Sequence, residues 1–276
     1  MPGPFAGFSG AVLLTSGRVR KVRKVKRPRR MDRFTAFLCL ILAIPSFAFT
    51  DSDIASHQRE IATRPAGERI AYWAERFVGV PYDPDPLGEY VTKRAIVADD
   101  RVDCMYLTFR TAELALGRSP KGSVEIALDK RFKDRGMLEK GVVLNYDDRF
   151  QYGEDMLDSG KWGREITDDI GPVSFIKGSR GRELVKMISK ETLIKIVRGK
   201  RTSLKSGDII FFVKAPEKRV AGEIVGHIGT IKLERGDVYL IHASGRKNGD
   251  GRVKKVLLRD YAISMPFAGV RVSRFP

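Results

Sequence analysis

Residues 226–244 read Gly226-His227-Ile228-Gly229-Thr230-Ile231-Lys232-Leu233-Glu234-Arg235-Gly236-Asp237-Val238-Tyr239-Leu240-Ile241-His242-Ala243-Ser244. Two apolar, β-branched runs flank Arg235-Gly236, which predicts an antiparallel hairpin closed by a two-residue turn. Folding about that turn sets Gly229 opposite His242 and His227 opposite Ser244. The two histidines then share a face as diagonal neighbours, about 7–8 Å apart at the backbone. A turn longer or shorter by one residue would put them on opposite faces. Working outward, further short β-rich runs fall at 208–213, 253–258 and 269–273, beside the hairpin arms at 224–233 and 238–243.

The preceding half has helical texture. In residues 68–78, Ile70, Trp73, Ala74 and Phe77 recur at helical spacing, and Gly79 and Pro81 supply the stop. Residues 82–97 are rich in Asp, Pro and Gly and read as loop. A second helix opens at Asp103-Cys104, carries Leu107, Thr111, Leu114 and Ala115 along one side, and stops at Gly117 and Pro120. Residues 121–205 mix helix-like pieces, 125–132 and 183–189, with turns at 146–148 and 169–172. Helices followed by antiparallel strands give an α+β fold, not a βαβ sheet.

The 276 residues carry a formal charge of +17, and that charge is concentrated at the start. Residues 18–30 hold nine basic residues and no acid. Three readings of this block stand: an overlong signal n-region, a nucleic-acid-binding arm, or sequence upstream of a true start at Met31. Met31-Asp32-Arg33 then leads into the apolar stretch 34–44, Pro45 and Ser46-Phe47-Ala48. A charged start, an apolar core and a small-x-small end predict a secretory signal, hence export, most simply to a periplasm. The expected division is 1–48 as upstream extension plus signal peptide, 49–65 as a lead-in segment, and 66–276 as the functional domain. Without residues 1–48 the chain has 41 basic and 33 acidic residues, a net of +8. That balance favours an anionic partner such as a cell wall and no longer requires nucleic acid. No apolar run reaches the ~18 residues of a membrane span, so membrane association is not expected once the signal is gone. Two cysteines exclude a disulfide scaffold and a four-cysteine zinc site, and three histidines argue against a multi-histidine metal site.

The lone cysteine after residue 48 is Cys104. Asp103 is a good N-cap, which puts Cys104 on the first turn of its helix. There the unpaired backbone N–H groups favour a thiolate with a depressed pKa and can later hold an oxyanion. A buried structural cysteine is the competing reading, and a half-buried strand histidine without a role competes for each of His227 and His242. Taken together, the three residues form a nucleophile, a base and an orienting group.

Five motifs occur in order: Gly79-Val80-Pro81-Tyr82, Val102-Asp103-Cys104, Ser206-Gly207-Asp208-Ile209-Ile210-Phe211-Phe212, Gly226-His227-Ile228-Gly229 and Leu240-Ile241-His242-Ala243-Ser244. This series resembles the NlpC-type papain-like superfamily of murein hydrolases. Within it, the chain most resembles the N-acetylmuramoyl-L-alanine amidase-like family, formerly a domain of unknown function. The resemblance spans residues 70–274. It implies a papain-like fold, with the cysteine-bearing helix packed against an antiparallel sheet carrying the histidines. It also implies Cys104 as nucleophile, His227 as base and His242 as orienting residue, with Tyr82, Asp103 and Ser244 beside the substrate. The implied substrate is peptidoglycan or muropeptide fragments, cut at the N-acetylmuramoyl-L-alanine amide by a monomer that needs neither metal nor organic cofactor. The broader superfamily implies an alternative, cleavage between D-glutamate and a diamino acid. A non-catalytic wall-binding module is a second alternative. Two departures are visible: Met105-Tyr106-Leu107-Thr108-Phe109 follows Asp103-Cys104, and Arg149-Phe150-Gln151-Tyr152 stands where the family has an Arg-Asn-His-Tyr segment.

Overall fold

The computed structural model describes residues 49–199, 202–245 and 251–276. The expected signal segment and the basic block lie outside the described residues. The first half is helical: α1 (Asp51–Glu60), α2 (Ala66–Arg76), the short α3 (Glu89–Thr92), α4 (Cys104–Leu116) and α5 (Pro120–Lys130). A small ribbon of β1 (Leu138–Glu139) and β2 (Val142–Val143) follows, then α6 (Gly153–Asp158), β3 (Arg164–Glu165) and α7 (Thr167–Ile170). The rest alternates β4 (Ser174–Lys177), β5 (Leu184–Ser189), α8 (Lys190–Arg198), β6 (Ile209–Val213), β7 (Val225–Glu234), β8 (Asp237–Ser244), β9 (Arg252–Leu257), α9 (Leu258–Ser264) and β10 (Gly269–Arg274). This is an α+β architecture. Among the described residues no helix is long and apolar enough to cross a membrane.

The antiparallel sheet runs β4-β5-β10-β6-β7-β8-β9, with β3 paired to the far end of β10. Strand β6 is buried along its whole length and shows how the sequence builds two cores. Ile209 and Phe211 belong to the core on the α2 and α4 side, which also holds Trp73, Phe77 and Phe109. Ile210 and Phe212 point to the other face, where Leu193 of α8 and Leu258 and Ala262 of α9 pack. The period of two in one short run therefore feeds both layers.

The hairpin has the expected register. Glu234 pairs with Asp237 and Thr230 with Ile241, the offset a two-residue turn at Arg235-Gly236 sets; the paired stretch ends there, just short of the two histidines, whose rings meet across the strands. Arg235 and Gly236 both have positive φ, 52° and 87°, as a type I′ turn requires. One other expectation changes. Residues 183–189 are not helical: Val185 and Met187 alternate inward against Val213 and Ile224, and the segment pairs with β4 and β10. The helix begins only after Ser189, whose hydroxyl caps Thr192 N at 3.2 Å. The strand nearest the C-terminus, β10, inserts between β5 and β6.

Candidate active site

The start of α4 is fixed before any chemistry is considered. Asp103 caps it, accepting from Tyr106 N at 2.6 Å, which leaves the N–H groups of Cys104 and Met105 outside the helical ladder. Tyr106, one turn on, donates its hydroxyl to Asp99 at 2.8 Å and accepts from Ala98 N at 2.6 Å. Asp99 also takes a fork from Arg110 at 2.9 and 3.0 Å, and both side chains are buried. A second buried pair, Glu113 with Arg131 at 2.5 and 2.7 Å, fastens the end of the helix. Removing one partner of such a pair leaves a buried charge uncompensated, at a cost of about 3–5 kcal/mol. Cys104 therefore sits on a helix that cannot easily shift.

His227 is positioned from the sheet. Phe212 pairs with His227, but the next pair is Val213 with Val225, so Gly226 is the extra residue of a β-bulge immediately before His227. Bulges of this kind re-aim the neighbouring side chain. The strand's entry is clamped by buried Glu154, whose carboxylate oxygens accept from Ile224 N at 3.1 Å and Val225 N at 3.0 Å. His227 Nε2 lies 2.8 Å from His242 Nδ1, so one nitrogen donates and the other accepts. When His227 is the donor, its Nδ1 keeps a free lone pair, the tautomer a base requires. Gly229 makes room for this contact. A Cβ there would lie 2.5 Å from Leu240 Cδ1, 2.9 Å from Ile241 O and 3.3 Å from His242 Cβ.

Cys104 and His227 line one cleft of about 430 Å³, together with Met105, Gln151, Tyr152 and Lys214. An adjoining cleft, also bordered by His227, is lined by Tyr82, His242, Ser244, Tyr261 and Phe267. The structure thus brings Cys104, His227, His242, Tyr82 and Ser244 to one region, with Asp103 beneath it as the helix cap. Tyr82 is held from two sides: its N–H donates to Gly251 O at 2.8 Å, and it bridges Val102, two residues before Cys104.

Burial dominates the electrostatics. It pushes the Cys104 thiol up to about 12, helped by the nearby Asp103 carboxylate and opposed by the N–H groups of Ile228, Cys104 and Met105. The expectation of a depressed thiol pKa is therefore corrected: desolvation outweighs the helix start. Burial and the charge of His242 push His227 down to about 3, and burial with Lys254 pushes His242 down to about 4. At neutral pH the resting site holds a neutral thiol and two neutral imidazoles. Burial and the proximity of Cys104 raise Tyr82 to about 12, so its phenol remains a donor. Burial also lifts Asp103 to about 6.

Sequence reasoning missed the aromatic surround of the histidines. Phe267 stacks on His227 at 6.3 Å and 8°, Phe212 lies at 5.7 Å, and Tyr261 meets the His242 ring edge-on at 4.9 Å. Phe212 was available as a directly paired neighbour once the strand register was drawn. Tyr261 and Phe267 arrive from α9 and the loop after it, and no local pattern announces them. Glu154 was also missed, as was Arg180, whose guanidinium covers the Tyr152 ring at 3.6 Å.

The fold and this geometry define a class: an α+β protein whose cysteine-bearing helix lies against β7 and β8, the strands that carry the paired histidines. Among solved structures the chain is similar to an N-acetylmuramoyl-L-alanine amidase from Bacteroides uniformis, with 19% identity, TM-score 0.57, and coverage of 76% of this chain and 98% of that one. It is similar also to LPG0564 from Legionella pneumophila, a DUF1460 protein, with 17% identity, TM-score 0.58, and coverage of 80% and 93%. A candidate xylanase from Bacteroides fragilis shares the fold as well, at 20% identity and TM-score 0.57 over 74% of this chain and all of that one. At these identities the likeness is one of fold. No protein-family profile and no curated protein matches the sequence.

Proposed function

We propose that this chain is an exported, papain-like cysteine amidohydrolase that cleaves the N-acetylmuramoyl-L-alanine amide of peptidoglycan or its fragments. The observation that carries the reading is one cleft lined by Cys104, at a helix start, and by His227, whose Nε2 is bonded to His242 at 2.8 Å. The amidase named among the structures of similar fold supports the choice of bond. Export to the periplasm rests on the sequence of residues 31–48 alone.

Because the resting pair is neutral, proton transfer accompanies attack. His227 Nδ1 takes the thiol proton as Sγ adds to the amide carbonyl, and His242 accepts the Nε2 proton's hydrogen bond and holds the ring. The oxyanion is met by backbone N–H groups at the start of α4, with the Tyr82 phenol as a further donor. The C–N bond then breaks, and imidazolium returns its proton to the leaving amine. Water, deprotonated by His227, attacks the thioester and releases the acid and free Cys104.

Digestion of purified muropeptides followed by mass spectrometry tests this. The expected products are a peptide beginning with L-alanine and the peptide-free sugar, both lost in Cys104→Ala. Products cut between D-glutamate and the diamino acid would replace the bond assignment. Tight binding of muropeptides with no cleavage would replace the enzyme by a binding module.

A further inference from the structure

At the opposite end of α4 from Cys104, a second cavity of about 150 Å³ is lined by Gln58, Arg59, Arg69 and Arg118. Thirteen helical residues at about 1.5 Å each separate it from the cysteine by about 20 Å. Three arginines around one small cavity repel one another, and among the described residues none of the three is ion-paired. Arg69 Nε is buried with no hydrogen-bond partner, and Arg118 is the charged neighbour that perturbs Arg69. An unsatisfied buried guanidinium N–H is costly unless something accepts from it.

Gln58 narrows the chemistry. It is 5% exposed, and its amide nitrogen donates to Leu114 O at 3.0 Å, Gly117 O at 3.1 Å and Ser123 Oγ at 2.9 Å. Those three acceptors fix which end of the amide is which, and Oε1 is left buried without a partner. The cavity therefore offers guanidinium donors and one acceptor. A fully deprotonated oxyanion would satisfy the arginines but repel Oε1. An oxyanion that still carries O–H satisfies both.

We infer that this cavity is a binding site for a phosphate-type oxyanion bearing a hydroxyl, held by Arg59, Arg69 and Arg118 with its O–H donated to Gln58 Oε1. Arg69 also borders a larger groove of about 820 Å³, which gives the remainder of a phosphorylated ligand room to lie. The inference does not depend on the hydrolase reading.

Isothermal titration of the full chain with inorganic phosphate, and separately with sulfate, at constant ionic strength and pH 7 tests it. Phosphate is expected to bind once per chain and at least fivefold more tightly than sulfate, which has no proton to donate at that pH. Arg69→Gln should weaken phosphate at least tenfold, and so should Arg118→Gln, whose side chain is exposed and whose melting without phosphate should match the parent. Muropeptide turnover by Arg118→Gln should be unchanged. Absence of phosphate binding, sulfate binding as tightly as phosphate, or unaltered affinity in both variants would overturn the site.

Discussion

Lowering the pH from 7 to 5 should destabilise this protein through its two paired histidines, by an amount the structure allows to be worked out. In the unfolded chain each titrates near 6.5. In the folded chain burial holds His227 near 3 and His242 near 4, so both stay neutral across this interval. A histidine with a depressed folded pKa contributes stability above its unfolded pKa and loses it as the pH falls toward the folded value. The unfolded state gains a proton that the native state refuses, and each histidine then costs about 1.4 kcal/mol per pH unit below 6.5. By pH 5 that is about 2 kcal/mol each, or about 4 kcal/mol together, a large fraction of a typical domain's stability. Asp103, raised to about 6, acts with the opposite sign. It is common to parent and variant, so it cancels in the comparison. The assay is urea unfolding at pH 7 and pH 5 for the parent, His242→Gln and the double variant His227→Gln/His242→Gln. The parent should lose about 4 kcal/mol more than the double variant between the two pH values, and the single variant about half that difference. Equal losses in all three would refute the claim that the pair is desolvated and neutral.

Further outcomes follow from the same geometry. Alkylation of Cys104 by iodoacetamide should be slower than that of a free thiol at pH 7 and should rise steadily above pH 9, as burial of the thiol requires; a rate plateau below pH 7 would contradict it. His242→Ala should lower turnover by orders of magnitude, while His242→Asn or Gln should recover part of it, because an amide can still accept from His227 Nε2; steady-state kinetics on muropeptides would separate these cases, and full activity in His242→Ala would remove its orienting role. Gly229→Ala should cost about 1–3 kcal/mol by overpacking against Leu240 and Ile241, and should lower turnover beyond that by displacing His242; unchanged stability and activity would show that the close approach is not needed.

Much of the sheet could be read from residues alone because its information is local. Arg235-Gly236 sets a turn of one length, and that length fixes which side chains oppose each other along the two arms. The alternation in Ile209-Ile210-Phe211-Phe212 is likewise a property of neighbours. The helix cap at Asp103 needs only three residues to be recognised. What could not be read depends on distant partners. The run Leu184-Val185-Lys186-Met187-Ile188 suits either period until the pairing with β10 is known, and that pairing joins segments some eighty residues apart. Tyr261 and Phe267 enclose His227 only because α9 crosses back over the sheet. The thiol pKa failed for the same reason: the helix start is visible in sequence, whereas the desolvation that outweighs it comes from the whole assembled cleft.

The central position of β10 has a consequence for how the chain acquires its shape. Strands β6 to β9 can zip together as successive hairpins while later residues are still absent. Strands β4 and β5 can join each other, but they reach that hairpin stack only through β10. During synthesis, which proceeds from the N-terminus at about 5–20 residues per second, the sheet stays in two unjoined pieces with open edges until residues 269–274 emerge. Closure is then a late, long-range event of the kind that slows folding. The joined sheet is therefore no more stable than the fit of β10 into the slot between β5 and β6, and loss of that one strand would part it into two separate pieces.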